Sequence, residues 1–187
     1  EDGARALMAA FRRPPPAMEA FYDWFHRWYG LVETNIMPQL EEVVRHLDPH
    51  GTRFSDDHIL DLGCGSGNLG MVLAPRCGRY EGGDQSEGML DRARARWNRD
   101  LLPGLGPGKA ASYPAPPFRR INLAELSPVV LGSPDWIAMS FALHLFPPED
   151  QVRILSTCLR SARKGVLVID HEQRWRPFLA LVERLHR

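Results

Sequence analysis

Apolar residues in this 187-residue chain come in two rhythms: short unbroken runs, and longer stretches where they recur every three or four positions. An unbroken run predicts a strand buried on both faces; the three-to-four rhythm predicts an amphipathic helix. Ile59-Leu60-Asp61-Leu62 reads as a first strand, and Leu69, Met71, Val72 and Leu73 as the helix after it. Arg79 to Asp84 forms a second strand, and Ser86 caps the helix that continues through Ala93, Arg94, Ala95 and Trp97 as a surface helix. Arg119 to Leu123 gives a short third strand and Asp135 to Ser140 a fourth. A helix over 148–162 opens with proline and acidic residues and carries Val152, Ile154, Leu155 and Leu159 toward the sheet. Val166 to Asp170 is the fifth strand. Ahead of these, residues 4–12 form a short helix, Pro14-Pro15-Pro16 breaks it, and residues 17–47 form one or two helices interrupted near Pro38. Residues 101–117, rich in proline and glycine, read as a loop or mobile insertion.

Strands alternating with helices imply an α/β fold: a Rossmann-like, doubly wound, mainly parallel sheet with right-handed crossovers and helices on both faces. Ligands in such sheets sit beyond the carboxyl ends of the strands. Asp61, Asp84, Asn122, Ser140, His144, Asp170 and His171 all fall at or just past those ends, so positions scattered in sequence converge on one cleft. The length suits a single domain over 1–187, with an N-terminal helical cap over 1–54 and an α/β core over 55–187.

The first strand runs directly into Asp61-Leu62-Gly63-Cys64-Gly65-Ser66-Gly67. Alternating glycines let the backbone take positive φ and let a ligand approach without meeting a Cβ. Gly65, Gly67 and Gly70 also satisfy the dinucleotide pattern that holds a pyrophosphate at a helix N-terminus. Asp61 discriminates between the readings: a carboxylate ahead of the glycines repels a pyrophosphate and suits an ammonium group.

This turn resembles that of the class I S-adenosylmethionine-dependent methyltransferases, whose pattern of an acidic residue and three alternating glycines it matches letter for letter. The resemblance covers roughly residues 55 to 172 and implies S-adenosylmethionine as cofactor. It places Asp61, Gly63, Cys64, Gly65 and Gly67 around the methionine moiety. Asp84 becomes the acceptor for the ribose hydroxyls, and Gln85 and Met89 pack against the adenosine. Asn122 stands where the family commonly has aspartate and, with Leu123, holds the adenine, or else is a simple turn asparagine. Residues Asp135 to Phe146 resemble the family's fourth motif, with Ser140 and His144 beneath the transferring methyl. The aromatic N-terminal helices, with Phe21, Phe25, Trp28 and Val32 at helical spacing, read as helices docked on the sheet or as the family's lid, from which Tyr22 or Tyr29 reaches the methionine carboxylate or the acceptor.

Lysine plus arginine and aspartate plus glutamate number 23 each, so no net positive field holds a polyanion, and nucleic acid is not expected as partner. Arg92, Arg94, Arg96 and Arg99 look like a local patch, but residues two apart on a helix point in different directions, so they read as a solvated helix. Three widely spaced cysteines, Cys64, Cys77 and Cys158, suggest neither disulfide nor metal knot and fit a reducing, cytoplasmic setting. No membrane span is expected.

Methyl transfer from a sulfonium needs alignment and exclusion of water; a hydroxyl or protonated amine acceptor also needs a base. His144 and His171 are the candidates, each with packing or loop hydrogen bonding as its plainer role. Asp170, His171 and Glu172 alternate in direction on an extended segment, so no metal site is expected. A five-stranded sheet would leave a bare apolar edge. The expected explanation is a chain lacking its C-terminal strands, as its non-methionine start also suggests, with a partner subunit or second copy over that edge as the alternative. The reading is a methyltransferase acting on a small-molecule acceptor at nitrogen, oxygen or carbon. Its alternatives are a catalytically silent S-adenosylmethionine-binding partner subunit and an S-adenosylmethionine-binding enzyme of other chemistry.

Overall fold

The structure, a computed structural model, describes residues 36–51, 53–113 and 115–170. Tyr22, Tyr29 and the rest of the aromatic N-terminal segment, His171 and the helix expected from Phe178 to His186 lie outside the described residues. In chain order the elements are α1 (Ile36–Leu47), β1 (His58–Leu62), α2 (Asn68–Leu73), β2 (Arg79–Asp84), α3 (Glu87–Arg96), α4 (Pro107–Ala111), β3 (Phe118–Arg120), α5 (Pro128–Leu131), β4 (Trp136–Ser140), α6 (Pro148–Ser161) and β5 (Gly165–Ile169).

All neighbouring strands pair in parallel, in the order β3-β2-β1-β4-β5. The chain winds outward from β1 to β3 and returns beside β1 as β4, so the two directions part between β1 and β4. A crevice opens at the carboxyl ends there. Side chains alternate across the sheet. Ile59, Tyr80, Phe118 and Ala138 face a core shared with Leu40, Leu69, Leu73, Leu90 and Trp97 of the helical layer. Leu60, Leu62, Ile137 and Met139 face the opposite core with Leu131, Ile154 and Cys158. Burial on both faces is why β1 and β4 read as apolar runs.

At the amino ends of the strands, Asp57 accepts from Trp136 Nε1 at 2.7 Å and from Lys164 Nζ. Asp135 accepts from the His58 backbone N–H at 2.9 Å and from the Arg163 guanidinium at 3.0 Å. These bonds fasten the starts of β1, β4 and β5, leaving the carboxyl ends to the cleft.

Several expectations change. α1 runs through Pro38 to Leu47 without a break, and what precedes Ile36 in the expected 17–47 helical stretch lies outside the described residues. Trp97 is 1% exposed and does not belong to a surface helix. Its ring stacks on Tyr80 at 5.9 Å and meets Tyr113 and Phe118 edge-on at 4.9 and 5.7 Å. The segment 101–117 is not without regular structure: it contains α4, and Tyr113 beyond it is buried, its phenol oxygen accepting from the Tyr80 N–H at 2.8 Å. One aromatic anchor thus orders a stretch whose composition speaks for a loop. On α6 it is Ile154, Thr157, Cys158 and Ser161 that face inward, while Val152 and Leu159 are 65% and 64% exposed. The inward stripe is one position off the apolar stripe because two small polar residues take part in it. β5, half-exposed along its length, pairs with β4 alone among the described residues.

Gly70 owes its identity to packing. A Cβ there would lie 2.6 Å from the ring of Tyr80, which is fully buried and cannot swing away. Overpacking costs about 1–3 kcal/mol, against roughly 1 kcal/mol gained from helix propensity. Gly70→Ala is therefore expected to lower the urea midpoint of unfolding, and an unchanged or raised midpoint would show that the aromatic cluster yields.

Candidate functional site

β1 ends at Leu62, and the chain turns through three glycines with positive φ: Gly63 at 68°, Gly65 at 52° and Gly67 at 82°. The turn is held from β2. Gly63 and Cys64 donate to the Gly83 carbonyl at 2.7 and 3.1 Å, and Gly65 N–H donates to Asp84 Oδ2 at 2.9 Å. The other Asp84 oxygen accepts from Ser86 N–H at 2.9 Å, and Ser86 in turn caps α3 by accepting from Met89 N–H at 3.2 Å. Asp84 therefore ties the glycine turn to the start of the next helix. A Cβ on Gly63 would collide with Ala142 Cβ at 2.6 Å, whereas one on Gly65 would meet no described atom within 4 Å. Gly63 closes β1 against the loop after β4, and Gly65 faces open space at the switch point.

Asp61 departs from its expected setting. It pairs in register with Gly82 of β2 and Ala138 of β4, one row inside the sheet, and is fully buried. Its Oδ2 accepts from the Tyr80 hydroxyl at 2.8 Å, and its Oδ1 has no partner among the described residues. Burial pushes the carboxyl up to about 7, partly opposed by the Tyr80 hydrogen bond and reinforced by the nearby charge of Asp84. An orphaned buried acceptor beside a glycine turn suits a cationic group that would draw the carboxyl back to its ionised form. Burial, with Asp84 and Asp61 adding to it, holds the Cys64 thiol well above its ordinary value, so this cysteine is neutral packing within the turn.

Asn122 Oδ1 accepts from Ala124 N–H at 3.0 Å, making it the cap of the 3-10 turn Leu123–Glu125. Asn122 thus caps a turn, and a carbonyl oxygen has two lone pairs. Leu123 and Met89 are buried; Gln85 and Ser140 are half-buried at the ends of β2 and β4. Phe141 follows Ser140 at φ 53°, the one non-glycine with positive φ among the described residues, and its N–H donates to the Ile169 carbonyl at 2.8 Å. The kink sends the chain into the 3-10 turn Leu143–Leu145. There His144 Nδ1 lies 2.6 Å from Asp170 Oδ1, and His144 N–H donates to Asp170 Oδ2 at 3.1 Å. Among the described residues no cluster of three or more His, Cys, Asp or Glu is placed to hold a metal ion.

Reasoning from sequence missed Arg96. From α3 its guanidinium reaches Asn68 Oδ1 and Ser66 Oγ, bracing the far side of the glycine turn. Arg94 pairs with Glu87 and Asp91, and Arg99 with Asp100, so these arginines diverge to separate partners.

Parallel order, glycine turn and strand-end carboxylates define a Rossmann-like nucleotide-binding domain. The family model described as a methyltransferase domain matches residues 59–165, and the chain belongs to that family, the class I S-adenosylmethionine-dependent methyltransferases. It is 28% identical to a ubiquinone biosynthesis O-methyltransferase of Hahella chejuensis over 79% of this chain and 57% of that protein. It is 32% identical to a trans-aconitate 2-methyltransferase of an Acidovorax species over 66% of this chain and 40% of that protein. The chain thus spans about half the length of the curated relatives it matches. Among solved structures, the magnesium protoporphyrin IX methyltransferase ChlM of Synechocystis with bound SAH superposes with a TM-score of 0.57 at 20% identity, covering 90% of this chain and 66% of that one. A DhpI-SAM-HEP complex superposes with a TM-score of 0.62 at 16% identity, covering 86% and 67%. The fold is the same.

The Asp61 carboxyl sets a stability slope. Its folded-state value lies above the ordinary 3.8, so between about pH 4 and pH 7 the unfolded chain releases this proton first, and stability falls as pH rises through that window. Asp61→Asn keeps an acceptor for Tyr80 and removes the slope. The Tm of the variant minus that of the wild type is expected to grow from about pH 5 to pH 8; a pH-independent difference would show that the carboxyl ionises freely.

Proposed function

We propose that this chain binds S-adenosylmethionine at the β1–β4 switch point and transfers its methyl group to a small-molecule acceptor. The observation that carries the reading is Asp84: its carboxylate braces Gly65 where the turn faces open space, so a ligand carrying hydroxyls meets both bare backbone and charged acceptor. Asp84 accepts from Gly65 and Ser86 N–H, and a carboxylate with about four lone-pair sites suits ribose hydroxyls. Asp61 Oδ1, buried and without a described partner, suits the methionine ammonium. Met89 and Leu123 offer apolar walls and Asn122 a carbonyl oxygen for the adenine. Tyr22 and His171, outside the described residues, retain their proposed places in the lid and as an alternative base.

When bound, S-adenosylmethionine supplies a methyl already activated on sulfur. This chain's residues have to align the acceptor and exclude water. His144, past the end of β4, is the proposed proton acceptor. A small acceptor is supported by the balanced charge of the chain and by the names of its relatives, which act in ubiquinone biosynthesis and on trans-aconitate.

Calorimetric titration tests the reading. S-adenosylmethionine and S-adenosylhomocysteine are expected to bind and NAD not to bind; binding of none, or of NAD alone, would sink it. Asp84→Ala is expected to weaken S-adenosylmethionine by about 1.5–3 kcal/mol, the range for hydrogen bonds to a charged group, with Asp84→Asn intermediate. An unchanged dissociation constant would remove Asp84 from the ribose.

A further inference from the structure

We infer that Arg96 is a positioning residue for the cofactor turn: reaching from α3, it holds the corner formed by Ser66, Gly67 and Asn68 in the shape that binds S-adenosylmethionine. The inference rests on the methyltransferase reading. The corner does not hold itself. Gly67 caps α2 in a left-handed conformation, φ 82°, and has no side chain with which to accept from the first N–H groups of the helix. α2 is six residues long, fewer than two turns, and has no acidic residue in its first turn. A capping side chain at Gly67 is disfavoured by the positive φ, and its Cβ would lie 3.3 Å from Ala93 Cβ.

α3 supplies the missing hold along one stripe. Ser86, Ala93 and Arg96 stand seven and then three positions apart, a spacing that shares one helix face. Ser86 N–H donates to Asp84, whose other oxygen accepts from Gly65. Ala93 backs Gly67 in the middle of the turn. Arg96 takes the far end: its Nη1 donates to Ser66 Oγ at 3.4 Å and to Asn68 Oδ1, so one nitrogen straddles Gly67. Ser66 and Asn68 are 1% and 6% exposed. In so dry a place a bond from a charged donor is not replaced by water without loss. A guanidinium only donates, so it also decides which end of the Asn68 amide faces α3.

The two ends of the turn are therefore fixed by different means. Asp84 at the end of β2 holds Gly65 through its backbone, while Arg96 holds the start of α2 through the side chains of Ser66 and Asn68. A turn fixed at both ends presents its backbone to a ligand already in place. One released at the far end has to be ordered when the ligand arrives, and that ordering appears as weaker binding. Arg96 thus acts on the cofactor through the turn, from a position 28 residues beyond Asn68.

Two measurements test this. In the ligand-free chain, hydrogen exchange is read at the Gly67 and Met71 amides, which donate to the Cys64 and Gly67 carbonyls, and at Ile59 to Leu62 of β1. Arg96→Met keeps the stem and removes the donors; it is expected to speed exchange at Gly67 and Met71 by about tenfold while β1 stays protected. Asn68→Ala is expected to do the same, and the two together to add little to either alone. Unchanged exchange at the turn, or equal acceleration of the turn and β1, overturns the positioning role. The second measurement is calorimetric titration with S-adenosylmethionine and S-adenosylhomocysteine, well below each variant's unfolding temperature. Arg96→Met is expected to raise both dissociation constants by about tenfold or more, with Arg96→Lys, a cationic donor on a shorter stem, in between. Full affinity in folded Arg96→Met overturns the inference; if that variant does not fold, Asn68→Ala carries both comparisons with the same criteria. A wild-type chain that binds neither ligand overturns the proposed function instead, and the exchange measurement then decides the role of Arg96 in the turn.

Discussion

Tyr80 sits in the middle of β2 with no solvent exposure, and three parts of the molecule meet on it. Its hydroxyl donates to Asp61 on β1, its ring lies between Trp97 and the backbone of Gly70, and its N–H donates to the phenol of Tyr113 from the segment beyond α4. A buried phenol must place its hydrogen, and a buried carboxylate must be met; each supplies what the other lacks. The geometry that satisfies both sets α2 and α3 against the sheet, and with α2 the far end of the glycine turn. Space is the second constraint, since Gly70 is small because the ring needs its place, just as Gly82 is small where a Cβ would lie 2.6 Å from the Phe118 ring.

Above this packed layer the carboxyl ends carry a second set of bonds in which acidic side chains hold backbone N–H groups in place. Asp84 restrains the glycine turn and the start of α3, and Asp170 restrains the turn holding His144. Carboxylates that accept from backbone N–H groups are held in fixed orientations, which spares a site the reorganisation that mobile charges would need. Asp61 differs: buried, with one oxygen unmet among the described residues, it is a polar group in a costly setting.

Much of this was legible in the residues. β1, β4 and β5 follow from their apolar runs and the glycine turn from its spacing, because those signals are local, and by the crossover rule alternation with helices makes the sheet parallel. β3, Phe118–Arg120, is too short to state its own bounds and was expected at Arg119–Leu123. The convergence of Asp84, Asn122, Ser140 and His144 on one end of the sheet follows from the same rule. What misled was face and environment. Val152 and Leu159 are apolar yet outward, since Thr157 and Ser161 could turn inward by bonding back to the helix carbonyls at Arg153 and Thr157. Trp97 looked like a surface residue because its partners, Tyr80, Tyr113 and Phe118, come from three other segments.

The sequence by itself determined the alternation of strands and main helices, the fold class and the family, because periodicity and the spacing of an acidic residue before three glycines need no distant partner to be read. Only the tertiary structure decided what each polar group faces: that Asp61 points at Tyr80 within the core, that Asp84 serves backbone N–H groups, and that Asp170 grips both ends of His144. Those outcomes depend on strand register and on which side chains share a face, and register is set by packing across the whole sheet, not by any segment alone.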